Sequence, residues 1–391
     1  MKKYFIFQFA CFGDCLYATT VARQIKHDEP GSHVTWAIAS KYKSVLLENP
    51  DVDTILTLDI DPRHATAEEF TRMEERIDRI AASGEYDQVY HLQVLSRRHL
   101  PRFCTTLRRT VFQIFGRPIS VDISPVVHLT AEEAERVRSF AEMHRLSDFR
   151  HVILFECAPA SGQSIVNTEL AIEVGREITA VKPDVCFILS SPQKIEEKRA
   201  QIIDASSLSF RENAALTFYC TLLIGCSSGI TWLSTSTAAK KLPMVQLLSR
   251  SSEIFAGVSF DFVVNGIDND HILEMVDFDG RKIVACILTV IDSGMMSARP
   301  TFHQVYRPGL QDMENNLRRL VWLNCTIFEL LEYTKRFVME NRLCGNPVPI
   351  GEGARIRSVV KAVARRTRYR IKAGVKAVVS SLVSPKDARI A

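Results

Sequence analysis

Tyr4-Phe5-Ile6-Phe7-Gln8-Phe9-Ala10-Cys11-Phe12-Gly13-Asp14-Cys15-Leu16-Tyr17-Ala18-Thr19-Thr20 runs from an apolar, β-rich stretch through a small-residue turn into a helix-forming segment. About two hundred residues later, Leu222-Leu223-Ile224-Gly225-Cys226-Ser227-Ser228-Gly229-Ile230-Thr231-Trp232 repeats the design. A strand, a tight loop and a helix start is the unit with which α/β folds bind anions and polar ligands. One loop carries a carboxylate and the other only small neutral groups. Such a pair suits a reaction with a base on one side and an anionic leaving group on the other.

Strands and helices alternate outward from each of these units. In the first half, strands are expected over 4–9, 33–39, 52–58 and 88–92, with helices over 16–26, 41–48 and 66–83 between them. After a helix over 130–144, opened by the capping box Thr130-Ala131-Glu132-Glu133, a second series follows. It places strands at 151–155, 185–189, 222–225 and 244–248 and helices at 168–180, 195–204, 214–220 and 232–239. Alternation of this kind makes parallel sheets covered by helices, and the crevice between two such layers is the expected site. Beyond 283 the pattern is helical, most clearly over 312–341, which is long enough to be kinked or split. Gly345, Pro347, Pro349, Gly351 and Gly353 punctuate a linker before the tail. The expected division is 1–147, 148–290, a helical extension over 291–344, and a linker and tail over 345–391.

At 391 residues, with 46% hydrophobic and 24% charged residues, the chain is of ordinary globular composition and too long for one core. Its ten cysteines show no Cys-x-x-Cys and no zinc spacing, which reads as reduced, buried thiols of a cytosolic protein. The start, Met1-Lys2-Lys3 before a short apolar run broken by Gln8, reads as a first strand rather than a signal peptide. No apolar stretch reaches the roughly 20 residues that span a bilayer. The net charge of +4 is unevenly spread: residues 354–391 hold eleven Lys and Arg against one acid, Asp387, so the body is net acidic. Val, Ile and Ala interleaved with that charge suit an anionic bilayer surface. Nucleic acid is the rival partner, but no recognition motif or aromatic platform accompanies the charge.

The motifs resemble those of the bacterial heptosyltransferases and related enzymes of glycosyltransferase family 9. Phe12-Gly13-Asp14 with Ala18-Thr19-Thr20 resembles the family's opening loop and helix. His33-Val34-Thr35-Trp36, Asn49-Pro50-Asp51-Val52-Asp53 and Tyr86-Asp87-Gln88-Val89-Tyr90-His91-Leu92-Gln93 resemble its succeeding segments. Residues 214–233 resemble its nucleotide-binding helix, strand and loop. Four motifs keep the family's order over roughly 1–270. The chain departs from the pattern at Ser227, where the family has Asp, at Ile230, at Trp232, where it has His, and at His91, where it has Asp. Ala158-Pro159-Ala160-Ser161-Gly162-Gln163-Ser164 lacks the family's phosphate-binding Lys.

The resemblance implies a GT-B fold of two Rossmann-like domains and an inverting transfer from a nucleotide-sugar to a lipopolysaccharide, surface polysaccharide or lipid-linked glycan. Asp14 would be the general base, although an Asp at a helix start is also an N-cap, and the two roles are compatible. Ser227, Ser228, Gly229 and Thr231 would hold the donor diphosphate, with Ser161, Gly162, Gln163 and Ser164 as a second polar loop. Gly13, Arg97, Arg98 and Arg102 would meet the acceptor, an anionic one suiting Arg forks, while a solvated basic loop is the plainer reading of those arginines. His91 reads as a core histidine. No metal or other cofactor is expected, and the enzyme would work at the cytoplasmic membrane face through its 354–391 tail. Two rivals share the fold: a catalytically degenerate protein that binds glycan or nucleotide as an assembly subunit, and a sugar-nucleotide epimerase.

Overall fold

The computed structural model describes residues 1–62, 64–160, 162–250, 255–276 and 278–365. Two all-parallel sheets organise the chain. The first comprises β1 (Lys3–Phe7), β2 (His33–Ala39), β3 (Thr54–Leu58) and β4 (Gln88–His91) in the order β3-β2-β1-β4. The helices α1 (Phe12–Asp28), α2 (Ala67–Ala82) and α3 (Leu107–Phe115) accompany it. After α4 (Ala131–Met143), the second sheet takes β5 (His151–Glu156), β6 (Val185–Ser190), β7 (Ile202–Asp204), β8 (Leu222–Gly225), β9 (Met244–Leu247) and β10 (Ile272–Met275). Their order is β10-β9-β8-β5-β6-β7, with α5 (Thr168–Val181), α6 (Glu212–Leu216), α7 (Gly229–Leu233) and α8 (Val258–Val264) among the connections. The inner strands read as unbroken apolar runs because helices cover both faces, leaving no polar side to the sheet.

Capping boxes at Thr66/Glu69 and Thr130/Glu133 start α2 and α4 where the sequence places them. Several elements differ from expectation: the helix expected over 232–239 ends at Leu233 within α7, and α8 and β10 stand where no element is expected. Residues 195–204 are not a helix: the chain turns, and Ile202 and Ile203 pair with Phe187 and Ile188 as the edge strand β7. The sheet's open edge outweighs the weak helical pattern there. The long helical stretch is split, as its length leads one to expect, into α11 (Leu310–Trp322) and α12 (Ile327–Leu343), after α9 (Gly280–Ser293) and α10 (Met295–Phe302). Asn324, in the left-handed region at φ 62°, makes the break, and Thr326 caps the new helix. Finally, α1 begins at Phe12, earlier than expected, which brings Asp14 into its first turn.

The C-terminal helices do not extend outward. Leu317, Leu320, Tyr333 and Phe337 join the core of the first sheet, as do Val359 and Ala362 from the helical turns of 352–365. Asn316 donates to the Phe103 carbonyl at 3.2 Å and Asn341 to the Cys104 carbonyl at 2.6 Å, tying α11 and α12 to the loop before α3. Packing therefore regroups 310–365 with the first layer, although chain order puts it last.

Arg211, between β7 and α6, joins the two layers. Only 2% exposed, it donates from Nε and Nη2 to the Glu133 carboxylate at 2.7 and 2.8 Å. Its Nη1 donates to the carbonyls of Ser44 (3.1 Å) and Leu47 (2.5 Å) in the first layer, and its Nη2 also to that of His128. Every N–H of the guanidinium is thereby used. Burial alone would push the Glu133 carboxyl up, but the bonds from Arg211 and from the Thr130 backbone hold it below the usual range. Arg211→Ala strands this carboxylate and three carbonyls, so a loss of about 3–5 kcal/mol in urea unfolding is expected, and Arg211→Lys recovers only part of it. An unchanged midpoint in Arg211→Ala would show that the clasp does not hold the layers together.

Candidate functional site

Both sheets reverse their strand order at one point, the first between β1 and β4 and the second between β5 and β8. Ligands of open parallel sheets bind outside the strand ends at such points. Here the two points face one another across a cavity of about 380 Å³, lined from the first layer by residues such as Phe12, Gly13, Asp14, Tyr17 and Lys41. The second layer contributes Glu156, Gln163, Phe210, Ser227, Ser228, Gly229 and Trp232 among others.

Close approach of α1 to α7 brings the layers together. A Cβ at Gly13 would stand 3.1 Å from Trp232 Cδ1, and one at Gly229 would stand 3.0 Å from the Phe210 ring and 3.1 Å from Phe12 Cβ. Phe12 stacks on Phe210 at 4.0 Å, and Tyr17 meets Trp232 edge-on at 4.9 Å. Behind them the buried Arg108 of α3 lies over Tyr17, Trp232 and Phe262, with its Nε 3.1 Å from Asp261 Oδ2 of α8. Burial raises the Asp261 carboxyl and Arg108 pulls it back, leaving it above the usual range. The two loops also share a backbone device: Cys11 (φ 67°) and Ser227 (φ 51°) take left-handed conformations just before α1 and α7. Non-glycine residues held there concentrate at ligand sites.

Asp14 is one of three acids that border this space, with Glu156 and Asp261. The N-cap position of α1 belongs to Cys11 and makes no side-chain cap, so the capping reading of Asp14 does not hold. Asp14 is 5% exposed, its Oδ2 has no hydrogen-bond partner, and burial pushes its carboxyl up to about 7. A carboxyl so poised, bordering a cavity, has the form of a general base.

The other expected residues divide. Ser227 borders the cavity with its Oγ buried and without a partner, while its N–H donates to Gln246 Oε1 at 2.9 Å. Ser228 and Gly229 also border it, but Thr231 is fully buried behind. The hydroxyls of Ser228 and Thr231 already donate to the Glu156 carboxylate, as do the N–H groups of Cys226 and Ile230. Gln163 borders the cavity; Ser164 accepts from the Val166 N–H at 3.2 Å, and Gly162 turns the loop at φ +72°. Ser161 lies outside the described residues.

The acceptor arginines need correction. Arg97 pairs with Glu329 of α12 at 3.8 Å, Arg98 with Asp78 of α2 at 2.5 Å, and Arg102 is exposed; none of the three borders the cavity. They are surface groups that meet neighbouring acids, because the chain turns away from the strand ends after Leu95. His91 packs against Phe7 and His99, and burial lowers it to about 4, keeping it neutral in the core. Glu156, Lys41, Asp261 and Arg211 were not singled out by sequence, whereas Arg108 stands in the basic segment that runs on from Arg97 and Arg98. A lone Glu closing an apolar strand run was the available signal for the first, and nothing local marks the rest. Among the described residues no group of three or more His, Cys, Asp or Glu is arranged to hold a metal.

No family model and no curated relative matches the chain. Solved structures do. A glycosyl transferase family 9 structure from Veillonella parvula DSM 2008 is similar over 76% of this chain and 93% of its own, at 18% identity and a TM-score of 0.52. The E. coli ADP-heptose lps heptosyltransferase II covers 64% and 86% at 15% identity and a TM-score of 0.43. A putative UDP-N-acetylglucosamine 2-epimerase from Listeria monocytogenes covers 82% and 94% at 14% identity and a TM-score of 0.47. The first of these, with the two facing parallel layers, shows the fold to be GT-B.

A folded-state carboxyl near 7 against an ordinary 3.8 binds its proton more tightly than the unfolded chain does. Stability from Asp14 is therefore fully present below about pH 3.8, falls as pH rises, and is lost above about 7. Asp14→Asn removes this penalty. Urea unfolding from pH 4 to 9 should show the variant gaining on the parent up to about pH 7 and then holding a constant lead of about 4 kcal/mol. A lead independent of pH would contradict the buried carboxyl.

Proposed function

We propose that this chain is an inverting glycosyltransferase that moves a sugar from a nucleotide-sugar to a hydroxyl of a glycan or glycolipid acceptor, with Asp14 as the general base. The observation that carries the reading is the Asp14 carboxylate: buried, unpartnered at Oδ2 and bordering a cavity between two GT-B layers. As the acceptor oxygen attacks the anomeric carbon, Asp14 takes its proton. The bond from that carbon to the nucleotide oxygen breaks on the opposite side, so the configuration inverts. Desolvation by Phe12, Tyr17 and Trp232 keeps the base strong enough to draw the proton at neutral pH.

The donor belongs on the second layer, where Ser227, Ser228, Gly229 and Gln163 border the same space. No metal is part of the reading, and the nucleotide-sugar is a co-substrate rather than a resident cofactor. Acceptor class is left to a lipopolysaccharide, surface polysaccharide or lipid-linked glycan, with Gly13 at the acceptor side because it allows α1 to approach Trp232. Glu156, which occupies the β8–α7 turn, favours a second reading in which the protein binds glycan or nucleotide without turnover.

The basic tail would bring the enzyme to the inner face of the cytoplasmic membrane. No helix among the described residues is long and apolar enough to cross a bilayer. Support for surface attachment comes from 352–365, where Val359 and Ala362 dock inward while Ile356 and Val360 are exposed beside Arg357 and Lys361.

Asp14→Asn should lower kcat by about 10²–10⁴ while donor affinity stays within a few-fold, and the parent rate should climb with pH to a plateau above about 7. Retained turnover in the variant would sink the assignment. Ending the chain after Arg365, which removes seven of the eleven tail Lys and Arg, should weaken sedimentation with phosphatidylserine-containing vesicles; equal binding of the shortened chain would remove residues 366–391 from the membrane reading.

A further inference from the structure

Glu156 closes β5 in the middle of the second sheet, and it is 2% exposed although it borders the cavity. Its Oε1 accepts from the Ser228 hydroxyl and from the Ile230 N–H at 2.9 Å. Its Oε2 accepts from the Cys226 N–H at 2.8 Å and the Thr231 hydroxyl at 2.7 Å. Two amides and two hydroxyls converging on one anion form the donor set that a phosphate group also requires. The unpartnered Ser227 hydroxyl, buried to 3% exposure, adds a further donor beside the same turn.

Elsewhere the cavity offers an anion little. Lys41 is the one Lys or Arg among the described lining residues, and it stands at the rim 3.8 Å from Asp61. Asp14 and Asp261 border the same space as acids. A ligand phosphate entering here therefore finds its donors in one place, and a carboxylate of the chain already holds them.

We propose that Glu156 is a resident anion, which the diphosphate end of a donor nucleotide displaces from the β8–α7 turn on binding. This rests on the donor reading above and names how the donor is admitted. A tethered carboxylate competes at a high local concentration, so a ligand succeeds only if it forms comparable charge-assisted bonds and finds further contacts beyond the turn. Once displaced, the Glu156 side chain moves into the cavity, and the turn's four donors pass to the phosphate oxygens. No bond of the chain is made or broken; the exchange is one of hydrogen-bond acceptors. The carboxylate thus sets a threshold that inorganic phosphate and nucleoside monophosphates fail and a nucleoside diphosphate passes.

Isothermal titration of the full chain with ADP, GDP, UDP, CDP and dTDP tests this. Glu156→Gln removes the charge and loosens the resident, so at least one diphosphate should bind about tenfold more tightly than to the parent. Glu156→Asp, which keeps the charge but shortens the reach, should move in the same direction and serves if the Gln variant does not fold. Folded variants that bind the parent's preferred diphosphate equally or more weakly would overturn the inference and leave the donor reading standing, with Glu156 a structural brace. No binding of any diphosphate to parent or variants would overturn both.

Discussion

The relation between the two sheets depends on Arg211. A guanidinium can be buried at small net cost only when each of its donors meets an acceptor, and here the acceptors come from three separate parts of the chain. Glu133 belongs to the connecting helix, the Ser44 and Leu47 carbonyls to the turn after β2, and the His128 carbonyl to the crossover. Satisfying them all places the second layer in one position relative to the first. Arg108 and Asp261 form a second buried ion pair nearer the cavity, 3.1 Å apart, with aromatic rings rather than carbonyls around the guanidinium. The crevice is consequently held narrow by paired buried charges, and hinge opening of the two layers would have to strand them.

A narrow crevice is what sets the Asp14 carboxyl apart. An Asp in the first turn of an exposed helix would be an ordinary acid, stabilised by the helix dipole. Covered by the aromatic side chains of both layers and left without a donor, the same group is driven toward 7 by desolvation. Holding this carboxyl buried leaves the folded state less stable above that pH. Gly13 and Gly229 belong to the same arrangement, since a methyl group at either would press on an aromatic side chain from the other layer.

On the second layer the chain has done something different with its ligand loop. The β8–α7 turn retains the small residues and the left-handed Ser227, yet its donors converge inward on Glu156 instead of standing open. Four donors of the turn are taken by a carboxylate that is covalently part of the protein. A motif read along the chain identifies the donors but not the acceptor they have found.

Much of this was legible in sequence because its causes are local. Apolar runs of four to seven residues between small-residue turns become parallel strands, the two capping boxes start helices where they stand, and Gly13-Asp14 and Ser227-Ser228-Gly229 fall at strand ends facing one cleft. Where local signals were weak the reading failed, as at Ile202 and Ile203, which serve an edge strand; the split of the long helical stretch was expected, and the structure puts it at Asn324. What the tertiary structure decided was partnership. Arg97 and Arg98 pair with acids of α12 and α2, Glu156 meets hydroxyls and amides seventy or more positions away, and Arg211 reaches carbonyls more remote still. Charge and hydrogen-bonding capacity are properties of a residue and can be read from its letter. Burial and the identity of the partner are properties of the packed whole, and they alone determine which carboxylate is left unpartnered, as Asp14 Oδ2 is, and which is held by four donors, as Glu156 is.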